Sequence, residues 1–155
     1  MIIIRPDNID NRGANKMNAK GVFLAGTIDN GNSVDWQSEV IDHIDSDKSV
    51  EIYNPRRHNW NTNPSTEEME AQIKWEQYHL DKADIIVLVL WDNSKSPISL
   101  LELGLYANTG KLIVFCTPNF YRYDNVRLTC EKYDIPLIKN TDIKTISKHI
   151  LANLI

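Results

Sequence analysis

The chain has 155 residues, a formal net charge of -4 and 25% charged residues. That is one domain with room for a proper core, without the basic excess of a nucleic-acid binder or a membrane-surface protein. The two cysteines, Cys116 and Cys130, form neither a CxxC pair nor a disulfide framework, and the four histidines have no metal-ligand spacing on one helix face, so no structural metal is expected. Met1-Ile-Ile-Ile4 runs directly into Arg5-Pro-Asp7, which does not read as a signal peptide, and no apolar run approaches the ~18 residues of a membrane span. A reduced, cytoplasmic protein is the expectation.

Residues 1–20 read as a short edge strand and a polar connector, Asn8 to Asn18, ahead of a single domain over 21–155. Gly21–Gly26 is a buried strand bounded by glycines. The turn-rich Thr27–Ser33 leads into a helix with Trp36, Val40 and Ile44 on one face, capped by Ser33. A strand, a glycine turn and a helix in this order can present backbone N–H groups to an anion, but any βα turn of a doubly wound sheet has that shape, and Asp29 would repel a phosphate. Ser49–Tyr53 is a second strand, ending in Asn54-Pro-Arg56-Arg57. Adjacent arginines at a strand end can hold a carboxylate or phosphate, and Trp60 in the loop His58–Pro64 can stack on a base; a solvated pair with a packing tryptophan accounts for the same residues.

Ser65–Lys82 has the pattern of a helix opened by the capping box Ser65-Thr-Glu-Glu68. Met69, Ile73, Leu80 and Ala83 mark its buried stripe, and Glu76 falls on that stripe. Glu76 is therefore either a salt-bridged or snorkelling edge residue or an acid that points inward. The following segment, Asp84–Leu90, is apolar after its first residue and predicts a strand buried on both faces. After the loop Asp92–Ser96, Pro97 opens a helix that is nearly all apolar to Ala107, with Glu102 as its one carboxylate. A buried ionised Glu needs a cation or hydrogen-bond donors, or it takes up a proton. Ser99-Leu-Leu-Glu102 has capping-box spacing, which offers a structural explanation. Proline, however, favours the first helical position, making Ser96 the cap and placing Glu102 in the second turn. The other reading is a carboxylate held for chemistry beside the carboxyl end of a strand, where open α/β sheets bind ligands.

Lys111–Cys116 is a further apolar strand, followed by the aromatic- and amide-rich loop Thr117–Asn125 and a helix of about ten residues. A short strand Ile135–Ile138 and a helix from Thr141 complete the chain. The alternation predicts an α/β, flavodoxin-like three-layer fold with a central parallel sheet of about five strands. Right-handed crossovers bring the loops flanking Asp84–Leu90 to one edge of that sheet, so Glu76 and Glu102 can converge there. Paired carboxylates suit chemistry at an anomeric carbon, one attacking or stabilising it while the other orients the nucleophile or handles a proton.

The segments FLAGTI (Phe23–Ile28), NPRR (Asn54–Arg57), the pair Glu76 and Asp84 within WEQYHLDKAD, SPISLLELG (Ser96–Gly104) and NFYRYDN (Asn119–Asn125) resemble the nucleoside 2-deoxyribosyltransferase superfamily, which includes the 2′-deoxynucleoside 5′-monophosphate N-glycosidases. The resemblance implies that Glu102 is the nucleophile that attacks C1′ of deoxyribose. It puts Glu76 where the family usually has Asp. It also implies substrate-binding roles for Phe23, Gly26, Thr27, Arg56, Arg57, Trp60, Asp84, Asp92 and Ser96, and needs no cofactor. Ser96, six residues before Glu102, matches the hydrolases rather than the transferases, which usually have Asp there. Phe23 replaces a common Tyr, and Asp29 stands where the hydrolases carry a basic residue for the 5′-phosphate, although Arg56 and Arg57 can supply charge from the next loop. In the family a neighbouring subunit completes the site, which implies a homodimer or higher oligomer with Tyr121 and Asn125 as the contributed residues. The implied activity is cleavage of the N-glycosidic bond of a 2′-deoxynucleoside or its monophosphate, with the sugar passed to another base or to water. The alternative is a non-catalytic nucleotide-binding or nucleotide-sensing module on the same fold.

Overall fold

Six apolar residues in a row offer no polar face, and Ile85–Leu90 (β5) accordingly runs through the middle of the sheet with every residue buried. The computed structural model describes residues 1–13, 18–44 and 49–155. Among these, Ile2–Ile4 (β1), Ile9–Asn11 (β2), Lys20–Gly26 (β3), Val50–Tyr53 (β4), Leu112–Cys116 (β6) and Leu137–Ile138 (β7) join β5 in one sheet of order β2-β1-β4-β3-β5-β6-β7. The pairing of β1 with β2 is antiparallel, and the other pairings are parallel. The run from β4 to β7 has the flavodoxin strand order, so the expected parallel core of about five strands is present.

The two further strands come from the N-terminal segment. Ile9–Asn11 was expected to lie in an unstructured connector, but it folds back antiparallel on β1, with Ile4 opposite Ile9. A turn closed by the Arg5 N–H on the Asn8 carbonyl, 2.8 Å away, makes the reversal. β1 is therefore an inner strand, and Met1 and Ile3 are core residues. Three residues are too few to show an alternating pattern, which is why the strand was not visible in the sequence. Positions 14–17 of the expected connector lie outside the described residues.

Strand periodicity sorts the core into two layers. On one face Val22, Leu24, Val87, Val89 and Phe115 pack with Trp36–Asp42 (α1) and Ile143–Asn153 (α5). On the other, Phe23, Ala25, Ile86, Leu88 and Leu90 pack with Thr66–Lys82 (α2), Pro97–Tyr106 (α3) and Tyr123–Lys132 (α4). Helix α1 starts two residues later than its sequence pattern indicates: Asp35 caps it by accepting from the Ser38 N–H, while the Ser33 hydroxyl bonds the Ile28 carbonyl. Helix α2 opens with the expected capping box at Ser65 and Glu68. Its stripe is buried only at the far end, since Met69 and Ile73 are 53% and 48% exposed. Seventeen helical residues span about 25 Å against about 20 Å for β5, so the first turns of α2 run past the sheet. No helix among the described residues is long and apolar enough to cross a membrane.

The chain leaves β3 for α1 on one face and β5 for α3 on the other, which opens a crevice at the carboxyl ends of these neighbouring strands. Gly26 closes that end of β3 with φ +138°, and a Cβ there would stand 2.1 Å from the Val89 carbonyl oxygen. Gly26→Ala is expected to destabilise the protein by about 3 kcal/mol or more, read as a lower urea midpoint at unchanged m-value.

Candidate active site

Helix α3 begins as proline requires, with Pro97 at its first position and Ser96 as its N-cap. This excludes the capping box at Ser99: Glu102 lies in the second turn, and its side chain is turned inward with 8% exposure. Among the described residues no hydrogen bond or salt bridge reaches its carboxylate. Burial, followed by the charge of Glu76, pushes the Glu102 pKa up to about 8.

Glu76 approaches from α2. Burial raises its pKa as well, while a hydrogen bond from Gln72 and the charge of Arg57 pull it back. Gln72 organises this side of the crevice. Its Nε2 donates to Glu76 Oε1 at 2.8 Å and to the Pro55 carbonyl at 3.0 Å, and its Oε1 accepts from Arg57 Nε at 2.7 Å. Gln72 sits one turn before Glu76, a spacing legible in the sequence once Glu76 is taken as functional. Phe23 is fully buried below, its ring 6.1 Å from that of Trp75, which in turn packs at 4.1 Å on His79. Phe23 thus supports the floor of the crevice from beneath.

The loops after β3 and β5 meet through buried hydroxyls. Thr27 Oγ1 lies 2.5 Å from Ser96 Oγ, Ser96 Oγ lies 3.0 Å from Ser94 Oγ, and Ser94 donates to Asp29 Oδ1 at 2.8 Å. No local pattern marks Ser94, or Asp29 as its acceptor, because the contact spans 65 positions. Asp92, on the exposed rim, accepts from Thr117 Oγ1.

Not every expected site residue faces this crevice. The buried guanidinium of Arg56 donates to the carbonyls of Gly31, Ser33 and Val34 and to Ser33 Oγ, so it ties down the loop after β3. Trp60 covers the same loop, its ring so close to Gly31 that a Cβ there would lie 2.3 Å away. Asp84 stands at the opposite, amino end of β5, where it accepts from the Gly21 N–H at 2.7 Å; it joins β3 to β5 and is remote from the two glutamates. Tyr121 and Asn125 line an open groove of about 500 Å³ between α3 and α4, floored by Leu100 and Leu103, and the Tyr121 hydroxyl donates to the Lys95 carbonyl at 3.2 Å. Among the described residues, no three His, Cys, Asp or Glu side chains group as metal ligands.

The model of the nucleoside 2-deoxyribosyltransferase-like family matches residues 19–120, more than half of the chain. The chain belongs to that family. The matched span contains both inward glutamates, the hydroxyl chain and the arginine loop, while Tyr121 and Asn125 fall just beyond it. A comparison with curated proteins finds no match. Among solved structures, a conserved protein from Enterococcus faecalis V583 is similar, with a TM-score of 0.60 and 13% identity over 87% of this chain and 99% of that one. At that identity the likeness concerns the fold.

A buried acid whose folded pKa lies above its ordinary value holds its proton more tightly in the native state than in the unfolded one. Its ionisation therefore removes stability as pH climbs from 4.5 to about 8. Glu102→Gln keeps the shape of the protonated acid and cannot ionise. It is expected to melt close to wild type at pH 4.5 and above it at pH 8.5, by a few kcal/mol at most, in thermal unfolding followed across that range.

Proposed function

We propose that this member of the deoxyribosyltransferase-like family cleaves the N-glycosidic bond of a 2′-deoxynucleoside or its 5′-monophosphate, with Glu102 as nucleophile. One observation carries the reading: a carboxylate buried without a hydrogen-bond donor among the described residues stands within electrostatic reach of a second, half-buried carboxylate, at the crevice where this fold binds ligands. A group kept for stability alone would be paired, because leaving an acid in that position costs several kcal/mol whenever it ionises.

Two neighbouring acids with raised pKa values hold one proton between them near neutral pH. In the productive arrangement the proton sits on Glu76 and Glu102 is ionised. Glu102 attacks C1′, the C1′–N bond breaks, and the departing base takes the proton from Glu76. The product is a glycosyl ester on Glu102. Water or an incoming base then attacks C1′, Glu102 leaves as carboxylate, and the nucleophile's proton returns to Glu76. The bond from Gln72 fixes Glu76 Oε1 and leaves its other oxygen for this proton. A 2′-deoxy sugar suits the scheme, because it lacks the electron-withdrawing hydroxyl that destabilises an oxocarbenium-like centre.

The same reading extends to a homodimer or higher homo-oligomer. Helix α3 carries no charge except Glu102, and it turns Ile98, Leu101 and Leu105 outward at 57% to 63% exposure. A helix apolar on every side belongs in an interior, and Met69 and Ile73 on α2 enlarge the uncovered face beside the Glu76–Glu102 crevice. A second copy covering this face would bring the Tyr121 and Asn125 loop of one chain toward the crevice of the other.

Purified protein incubated with a panel of deoxynucleosides and deoxynucleotides, with and without an acceptor base, is expected to release base. Glu102→Ala should lower that release by at least about a thousandfold. Wild-type activity should fall as pH rises through about 8, where the pair loses its shared proton. Saturable binding without turnover in wild type would instead establish a sensing module. In light scattering, wild type should exceed the 17.8 kDa of one chain, and Leu101→Glu should return it to that mass.

A further inference from the structure

The turn that reverses the chain between β1 and β2 lies against the loop leading from β4 to α2, and it grips the backbone of that loop. Arg5 Nη1 donates to the Arg56 carbonyl at 2.9 Å, and its Nη2 reaches Ser38 Oγ on α1 at 3.3 Å. The Asp7 carboxylate accepts from two successive backbone N–H groups, His58 at 3.2 Å and Asn59 at 3.1 Å. Arg57 stands between these contacts. From Arg57 to Pro64 only Arg57 and Trp60 are half-buried and the other side chains are exposed, so hydrogen bonds set much of the course of the loop. The family model matches from residue 19 onward, which places the hairpin ahead of the matched span.

The same loop supplies both contacts that orient the Gln72 amide. Arginine only donates and a proline carbonyl only accepts. The Arg57 Nε–H at 2.7 Å therefore takes the amide oxygen, and the Pro55 carbonyl at 3.0 Å takes one N–H of the amide nitrogen. The second N–H is thereby turned onto Glu76 Oε1 at 2.8 Å. Resting on the reading of Glu76 as the acid of the catalytic pair, we propose that Asp7 is a positioning residue for Glu76: it holds the loop after β4 so that Arg57 and Pro55 aim the Gln72 amide nitrogen at Glu76 Oε1. Arg57 is within electrostatic reach of both carboxylates. Burial raises the Asp7 pKa, but the N–H groups of Asn59 and His58 and the charge of Arg57 outweigh it and leave it lowered. Burial raises the Glu76 pKa, and Gln72 and then Arg57 pull it back. The groups facing Glu76 are thus Gln72 on its own helix, Arg57 on the loop and Glu102 on α3. Without Asp7 the His58 and Asn59 N–H groups pass to water, and the loop that fixes the amide loses its outer tether. An amide free to turn its oxygen toward Glu76 favours a proton on Oε1, away from the oxygen that serves the departing base.

The test follows Glu76 itself. In protein carrying isotope-labelled glutamate carboxyls, the Glu76 carbon resonance, assigned by its loss in Glu76→Gln, is titrated in wild type, Asp7→Ala, Asp7→Asn and Gln72→Leu, beside kcat and KM for base release. Asp7 is exposed, so its replacement opens no cavity. Asp7→Ala is expected to move the Glu76 midpoint upward and to lower kcat by about tenfold, with KM changed by less than about threefold. Asp7→Asn loses the same charge but keeps one acceptor oxygen, and should do both by less. Gln72→Leu should also move the midpoint upward, and in that background Asp7→Ala should add nothing, whereas a hairpin that only stabilises the fold acts independently. An unmoved midpoint in Asp7→Ala, equal shifts in the two Asp7 variants, or additivity with Gln72→Leu overturns the role of Asp7. An unchanged kcat in Asp7→Ala beside an active wild type overturns it as well. The expected shifts together with no base release from wild type overturn the catalytic reading of the pair and support the positioning.

Discussion

The burial of Glu102 without a hydrogen-bond partner among the described residues is the constraint around which the rest of the site is arranged. An apolar helix excludes water from its carboxylate, and the neighbouring charge of Glu76 adds to the penalty on ionisation. Such an arrangement persists only if the surrounding structure supplies enough stability to hold it. Here that stability comes from β5 and its neighbours β3 and β6, whose apolar residues pack into two continuous layers on either side of the sheet. The sheet fixes where α2 and α3 end, and thereby brings one acid from each to the same crevice.

Around this pair the loops are held by polar contacts rather than by packing. Arg56 draws the carbonyls of Gly31, Ser33 and Val34 onto one guanidinium, and Trp60 lies over Gly31. On the other side Ser96 adopts φ 45°, a conformation that costs an ordinary residue about 1–3 kcal/mol, and its hydroxyl is fixed between Thr27 and Ser94. Strain at the helix N-cap is thus offset by hydrogen bonds within its loop and to the loop after β3. The two sides differ in kind: the arginine side draws backbone carbonyls onto a cation, and the hydroxyl side links neutral side chains to the Asp29 carboxylate.

Family membership and site chemistry answer different questions. Membership accounts for the fold, while the side chains of Asp29, Phe23 and Glu76 act through contacts made within this chain. Their effects follow from local geometry. Phe23 leaves an apolar contact with Trp75 where a tyrosine would add a hydroxyl, and Glu76 is long enough to meet Gln72 one turn earlier on its own helix.

The sequence alone determined the layered fold, the strand at Ile85–Leu90, the capping of α2 by Ser65, the start of α3 at Pro97 and the anomaly of Glu102. These depend on composition and on periods of two and 3.6 residues, which act over short stretches of chain. It left β2 unseen, because three residues carry no period, and it counted Met69 and Ile73 as core, because a helical stripe does not say where the sheet beneath it ends. Only the tertiary structure decided that Arg56 ties down the loop after β3, that Asp84 joins β5 to β3 at Gly21, and that Ser94 links Ser96 to Asp29. Each of those contacts joins residues more than twenty positions apart, and hydrogen bonds over such separations are set by how the strands align, which no local pattern records.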